Sequence, residues 1–177
     1  MDLSDDHRRV VAFLIASETT PAMVCRTEPA VVMDWSAGSP PQTPPDPPAV
    51  GIGRYLEDRA VYTSGAYATD DPAERRTIHL GVDVFLAPGE PVAAPFDGVV
   101  VDVADRASPR DYGPVMLLEH RTPDDAAFFT LYGHLSRQPI GHRVPGQRLR
   151  AGELIARIGS REENGGWLPH QLFTRNL

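Results

Sequence analysis

Lysine is missing from this chain of 177 residues; all 17 basic residues are arginine. Any function that rests on a lysine-borne group is therefore excluded. Cysteine is nearly missing: the single Cys25 rules out an intrachain disulfide and any Cys-x-x-Cys metal site. Positive charge is in the minority, with a net charge of −7 and no basic patch, which argues against a nucleic-acid partner. Long apolar runs are missing too. Val10–Ala16 is short and follows Asp5 and Asp6, so it makes a poor export signal and cannot span a membrane. These absences lead to the expectation of no membrane association and a cytoplasmic location, or of a piece of a longer chain with further domains.

What is present suffices for one domain and a tail, with an ordinary hydrophobic share of 41%. Ser4, Asp5 and Asp6 before the Val10–Ala16 run predict a short amphipathic helix capped by Ser4. An extended piece, Ala30–Trp35, follows. Pro40 to Pro48 holds six prolines in nine positions, a stiff polyproline-like arm or linker. It places a boundary between an N-terminal piece, 1–50, and a main domain, 51–177.

From Gly51 the texture is mostly β. Apolar runs at Val82–Leu86, Val99–Val103, Val115–His120, Phe128–Tyr132 and Leu154–Ile158 are separated by Gly, Pro and Asp turns, among them Asp70–Pro72. Beyond the N-terminus, helical texture is confined to Tyr55–Ala60. Gly89–Val100 is echoed by Gly146–Ile155: glycine turn, apolar residue, second turn, strand. That repeat resembles barrel-sandwich hybrid domains, which include the biotinyl and lipoyl carriers. The carriers need a lysine at a hairpin tip, so the carrier function is excluded here. The expected fold is all-β, a barrel-sandwich hybrid with a short N-terminal helix and a Pro-rich arm.

The stretch Arg75–Phe85 draws the chemistry together. Ile78, Leu80, Val82 and Val84 alternate with His79, Gly81 and Asp83, the period of a strand with one buried face. On a straight strand His79 and Asp83 would lie about 13 Å apart. They share a metal only if the backbone turns between them, and Gly81 is where it can turn. Imidazole nitrogen with carboxylate oxygen is a normal zinc pair; a surface histidine beside a turn aspartate is the plain alternative. His134 follows an apolar strand and Gly133, and His170 follows the Gly165-Gly166 pair. His120 reads as a solvated strand-end residue and His142 as a turn residue.

Four segments in order carry a resemblance: His79-Leu80-Gly81-Val82-Asp83, then Pro91 to Val100, then Leu131-Tyr132-Gly133-His134-Leu135-Ser136, then Gly146 to Gly159. Across about residues 75–173 the chain resembles the lysostaphin-type peptidoglycan metalloendopeptidases. The resemblance implies a zinc hydrolase of peptide bonds in cell-wall cross-links, with a peptidoglycan-like peptide as its partner. It implies His79 and Asp83 as zinc ligands and His134 as a catalytic residue that polarises water or stabilises the oxyanion. It also implies a groove lined by aromatics, for which Tyr112, Tyr132 and Trp167 are candidates, each equally plausible as a core or rim residue. Residues 31–69 resemble the lead-in of such domains inside longer chains.

One place departs from the family. A final His-x-His pair should supply a catalytic histidine and then the third zinc ligand. Here the sequence reads Pro169-His170-Gln171-Leu172-Phe173. Aligned on Pro169, His170 is the catalytic histidine and Leu172 replaces the ligand; aligned on Gln171-Leu172-Phe173, about three residues are missing. Leucine cannot bind zinc. If His170 swings onto the metal, His134 is left as the only base. The reading is an impaired zinc peptidase, whose last strand is expected to be cut short with an open edge. The alternative is a catalytically inactive β-module of the same fold, acting as scaffold or binding domain. A third reading, a sugar- or peptide-binding barrel outside the family, fits the ordered motifs least.

Overall fold

A computed structural model describes residues 4–17, 29–36, 38–39, 42–46, 49–63, 67, 69, 71, 77–106 and 108–176. Cys25, Arg75 and Arg76 lie outside them, as do parts of the Pro40–Pro48 arm and of the Asp70–Pro72 turn; the described arm residues, 42–46, have no regular structure. The N-terminal helix is α1, Asp5–Ala16, and the Ser4 side chain accepts the His7 N–H as expected of the cap. It packs Val10 and Phe13 against Phe96 and Phe128.

The rest is mainly β, as the alternating runs predict. The strands are β1 (Ala30–Val32), β2 (Val50–Gly53), β3 (Glu57–Asp58), β4 (Ile78–His79), β5 (Val82–Phe85), β6 (Pro91–Ala93), β7 (Gly98–Arg106), β8 (Gly113–Arg121), β9 (Ala127–Gly133), β10 (Arg148–Leu149), β11 (Leu154–Arg157) and β12 (His170–Asn176). One sheet runs β1-β2-β5-β12-β9-β8-β7-β10; β11 pairs with β6, and β3 with β4. The boundary drawn from the sequence between residues 50 and 51 falls inside β2, which pairs parallel with β1 and antiparallel with β5.

The repeat has a structural counterpart. The β6–β7 unit meets the β10–β11 unit head to tail, β6 on β11 and β7 on β10. Equivalent turn glycines make equivalent bonds: Gly89 N–H donates to Ile158 O, and Gly146 N–H donates to Val100 O, each 2.8 Å. Both glycines have φ near +85°, in the left-handed region. Between the units lies the core, including Val92, Val100, Met116, Leu118, Tyr132 and Ile155. Each such side chain contributes about 1.5–3 kcal/mol on full burial.

Four expectations are corrected. The apolar residues around His79 are not the buried face of that stretch: Ile78 and Leu80 are exposed, while His79, Gly81 and Asp83 are buried. Tyr55–Ala60 is not helical: Leu56 takes φ +57°, which a helix cannot accommodate, and Glu57–Asp58 pairs with Ile78–His79. Tyr132 is fully buried in the core and lines no groove. β12 is not an open edge, since it pairs with β5 on one side and β9 on the other.

Candidate metal centre

The stretch around His79 breaks where glycine permits. β4 ends at His79, the chain bends at Gly81, and β5 begins at Val82. A Cβ at Gly81 would meet Phe173 O at 3.0 Å, His79 Nε2 at 3.2 Å and Leu172 Cγ at 3.3 Å. The bend brings His79 Nε2 within 3.3 Å of Asp83 Oδ1, in place of the span of about 13 Å on a straight strand.

The other two candidates arrive from different strands. His134 follows the end of β9 and holds φ +61°, uncommon for a non-glycine residue and a mark of functional sites. His170 opens β12, in register with Phe85, and its ring stacks on that of Phe85 at 4.8 Å. The His134 and His170 ring centroids are 4.2 Å apart, and His170 Nε2 stands 3.7 Å from Asp83 Oδ1. All four side chains are buried. The structure thus brings His79, Asp83, His134 and His170 together. His142 is exposed in a turn. His120 is elsewhere and, against expectation, is buried: its ring nitrogens bond Asp97 O and Thr130 Oγ1, so it needs no water.

Hydrogen bonding sets what each group can offer. His134 Nδ1 bonds Asn164 O at 3.0 Å, and His170 Nδ1 bonds Leu168 O at 2.6 Å. A carbonyl only accepts, so both Nδ1 atoms carry the proton and both Nε2 atoms keep a lone pair. His79 Nδ1 meets the Tyr62 hydroxyl at 2.9 Å. Asp83 Oδ2 accepts from Arg59 Nη1 at 2.6 Å, and Arg59 Nε donates to Glu57 Oε2 at 2.8 Å. Among the described residues, His79 Nε2 and Asp83 Oδ1 are left buried without a hydrogen-bond partner.

The electrostatics follow. Burial pushes Asp83 up, but His170, His79 and Arg59 outweigh it and hold the carboxyl well below the ordinary range. Burial lowers His170. Burial, reinforced by His170 and His79, pushes His134 down to about 3. His134 and His170 are therefore both held toward the neutral form, which binds metal or accepts a proton.

Among the described residues, no three His, Cys, Asp and Glu side chains form a finished metal shell. The donors present do fit zinc in kind. Two donors about 2.0–2.1 Å from zinc at the tetrahedral angle lie roughly 3.4 Å apart. The His79–Asp83 separation of 3.3 Å meets that, and the His170–Asp83 separation of 3.7 Å exceeds it slightly. Two buried polar atoms facing one another at 3.3 Å also suit one cation shared by both.

The cluster lies in a cleft of about 540 Å³ lined by Trp35, Tyr62, Tyr67, Tyr112 and Trp167. Tyr112 and Trp167 thus line the cleft, as the groove reading had it. Leu172 lines the same cleft, beside Gly81. Glu57, Arg59, Tyr62 and Asn164 carry no signal in the sequence; nothing local marks a partner 17 to 30 residues away.

A model of peptidase family M23 matches residues 77–175. An uncharacterized metalloprotease of Haemophilus influenzae is 32% identical over 116 residues, covering 62% of this chain. The chain spans only 22% of that relative's length. Among solved structures, a zinc-containing peptidase from Vibrio cholerae is 27% identical over 60% of this chain and 30% of its own, with a TM-score of 0.46. The catalytic domain of the antimicrobial peptidase lysostaphin from Staphylococcus simulans is 29% identical over 56% of this chain and 67% of its own, with a TM-score of 0.45.

Proposed function

The chain belongs to peptidase family M23, and on that premise we propose that it is a zinc endopeptidase domain directed at peptide cross-links of the peptidoglycan type, with reduced activity. The observation that carries this reading is the orphaned pair His79 Nε2 and Asp83 Oδ1, with His170 Nε2 beside it. These three residues are assigned to hold the metal. When bound, zinc supplies Lewis acidity, polarising a carbonyl and acidifying water.

The remaining work falls to this chain's own side chains. His134 Nε2 is the proton acceptor, because its Nδ1–H is committed to Asn164 O. Its depressed basicity makes it a weak one. Trp167 and Tyr112 flank its ring, with centroids at 6.2 and 6.1 Å, and would exclude bulk water around a bound peptide. Reduced activity follows from sharing: His170 is spent on the metal, so one imidazole serves where the family pattern has two. Leu172, on the same face of β12, adds no donor.

A second reading, a catalytically inactive module, is favoured by Leu172 itself, an apolar side chain lodged in the cleft. Elemental analysis after chelation and reloading, on wild type and Asp83→Ala, separates the two. Near one zinc per wild-type chain and near none in the variant supports the peptidase, and hydrolysis of glycine-rich or D-amino-acid cross-link peptides is then the next assay. No zinc in either protein leaves the inactive module.

A further inference from the structure

We infer that the segment Glu57–Tyr62 is a cradle that positions both proposed ligands of the His79–Asp83 pair from behind, an inference that rests on the zinc reading above. Two bonds leave this segment for the two ligands: Arg59 Nη1 to Asp83 Oδ2 at 2.6 Å, and the Tyr62 hydroxyl to His79 Nδ1 at 2.9 Å. The segment lies ahead of residue 77, where the family match begins.

The Arg59 arm is built to hold still. Arg59 and Glu57 are 7% and 5% exposed. Glu57 receives Arg59 Nε on one oxygen; on the other it receives the Trp35 N–H at 2.9 Å and Arg54. The Trp35 ring lies 5.2 Å from Arg59 Cζ. Gly53 makes room, for a Cβ there would come within 2.7 Å of Arg59 Nη2 and 3.1 Å of Asp83 Cβ. A buried ion pair of this kind adds little stability over a well-packed apolar pair. Its use lies in direction: the guanidinium claims Oδ2 and leaves Oδ1 facing His79 and His170, so the carboxylate offers one oxygen. On the other arm, the bond between His79 Nδ1 and the Tyr62 hydroxyl fixes the ring so that Nε2 faces Oδ1. Arg59 and Tyr62 are therefore positioning residues.

The test uses the full chain as wild type, Arg59→Met, Arg59→Lys and Tyr62→Phe. Zinc affinity is measured by competition with a chromophoric chelator, and the visible spectrum of the cobalt(II)-loaded protein is recorded. Arg59→Met and Tyr62→Phe are each expected to lose about 10–100-fold in zinc affinity. Arg59→Met is also expected to shift the cobalt bands, because the freed carboxylate can use both oxygens. Arg59→Lys is expected not to restore either, since a compact ammonium cannot span Glu57 and Asp83 as a planar fork does. Wild-type affinity and bands in both Arg59→Met and Tyr62→Phe overturn the inference. If Arg59→Met does not fold, Tyr62→Phe decides alone, and wild-type affinity there overturns it. A wild type that takes up neither zinc nor cobalt brings down the zinc reading and this inference together. A wild type that loads, with variants that match it, brings down this inference only.

Discussion

His120 and the site histidines are all buried, yet they are furnished differently. His120 has a partner on each ring nitrogen, Asp97 O at 2.8 Å and Thr130 Oγ1 at 2.7 Å, and its ring stacks on Phe128 at 5.1 Å. His134 and His170 each have one nitrogen bonded to a backbone carbonyl and the other open toward the cleft. Burial alone therefore does not mark a functional histidine. The mark is a ring held on one side and left available on the other. A fully saturated ring belongs to the packing.

The sharpest way to break this contrast is to remove one histidine of each kind. His170→Ala is expected to drop zinc from near one per chain to near none, measured by elemental analysis. His120→Ala is expected to keep its zinc while losing about 3 kcal/mol of stability in urea unfolding, through a cavity and two orphaned partners. Loss of zinc in His120→Ala, or retention in His170→Ala, would erase the distinction.

Gln171 sharpens the contrast from the other side. It is fully buried on the core-facing side of β12; its Nε2 donates to Leu172 O, and its Oε1 has no partner among the described residues. Here half-satisfaction accompanies no function, so the orphaned atom should be a plain cost. Gln171→Met is expected to raise stability by about 1 kcal/mol, a rise of roughly 2–4 °C in Tm, with zinc content unchanged. A fall in stability would show that the amide does something its neighbours conceal.

The smallest effect concerns pH. Burial lowers His120, only partly offset by the Asp97 carbonyl, the Asp97 charge and Glu119. Its folded value is thus below its unfolded value of about 6.5. The unfolded chain then binds more protons as pH falls through 6.5, and stability is lost in that direction. Between pH 7 and 5.5 the His120 share is expected to be no more than about 1 kcal/mol. It is read as the part of the wild-type pH slope that disappears in His120→Gln; an unchanged slope would mean that His120 titrates normally.

How far the sequence reaches depends on how local each feature is. The alternation around His79, the need for a turn at Gly81, the Ser4 cap and the Gly89/Gly146 repeat all depend on neighbours within a few residues. Each has its counterpart in the folded chain, except that the alternation is inverted: His79, Gly81 and Asp83 are buried, and Ile78 and Leu80 are exposed. Tyr55–Ala60 reads as helix because its charges and apolar groups suit one; pairing of Glu57 with His79 across 22 positions overrides that preference. His120 looks solvated because Asp97 and Thr130 are brought to it only by β7 and β9 packing on β8. Arg59 and Tyr62 carry no signal for the same reason, since their partners lie 24 and 17 positions away.

The strand β12 carries the site and the core on alternating residues: His170 and Leu172 face the cleft, while Gln171 and Phe173 face inward, with Phe173 against Tyr132. The strand therefore has a phase. An insertion or deletion of one residue just before it would turn Gln171 into the cleft and drive His170 and Leu172 into the core. A change of two residues would preserve the facing and merely exchange which side chain stands opposite Asp83. For mutation by length, then, the chemistry of this site is written with a parity: odd steps scramble both layers at once, and even steps shuffle candidates past the carboxylate while the sheet stays intact.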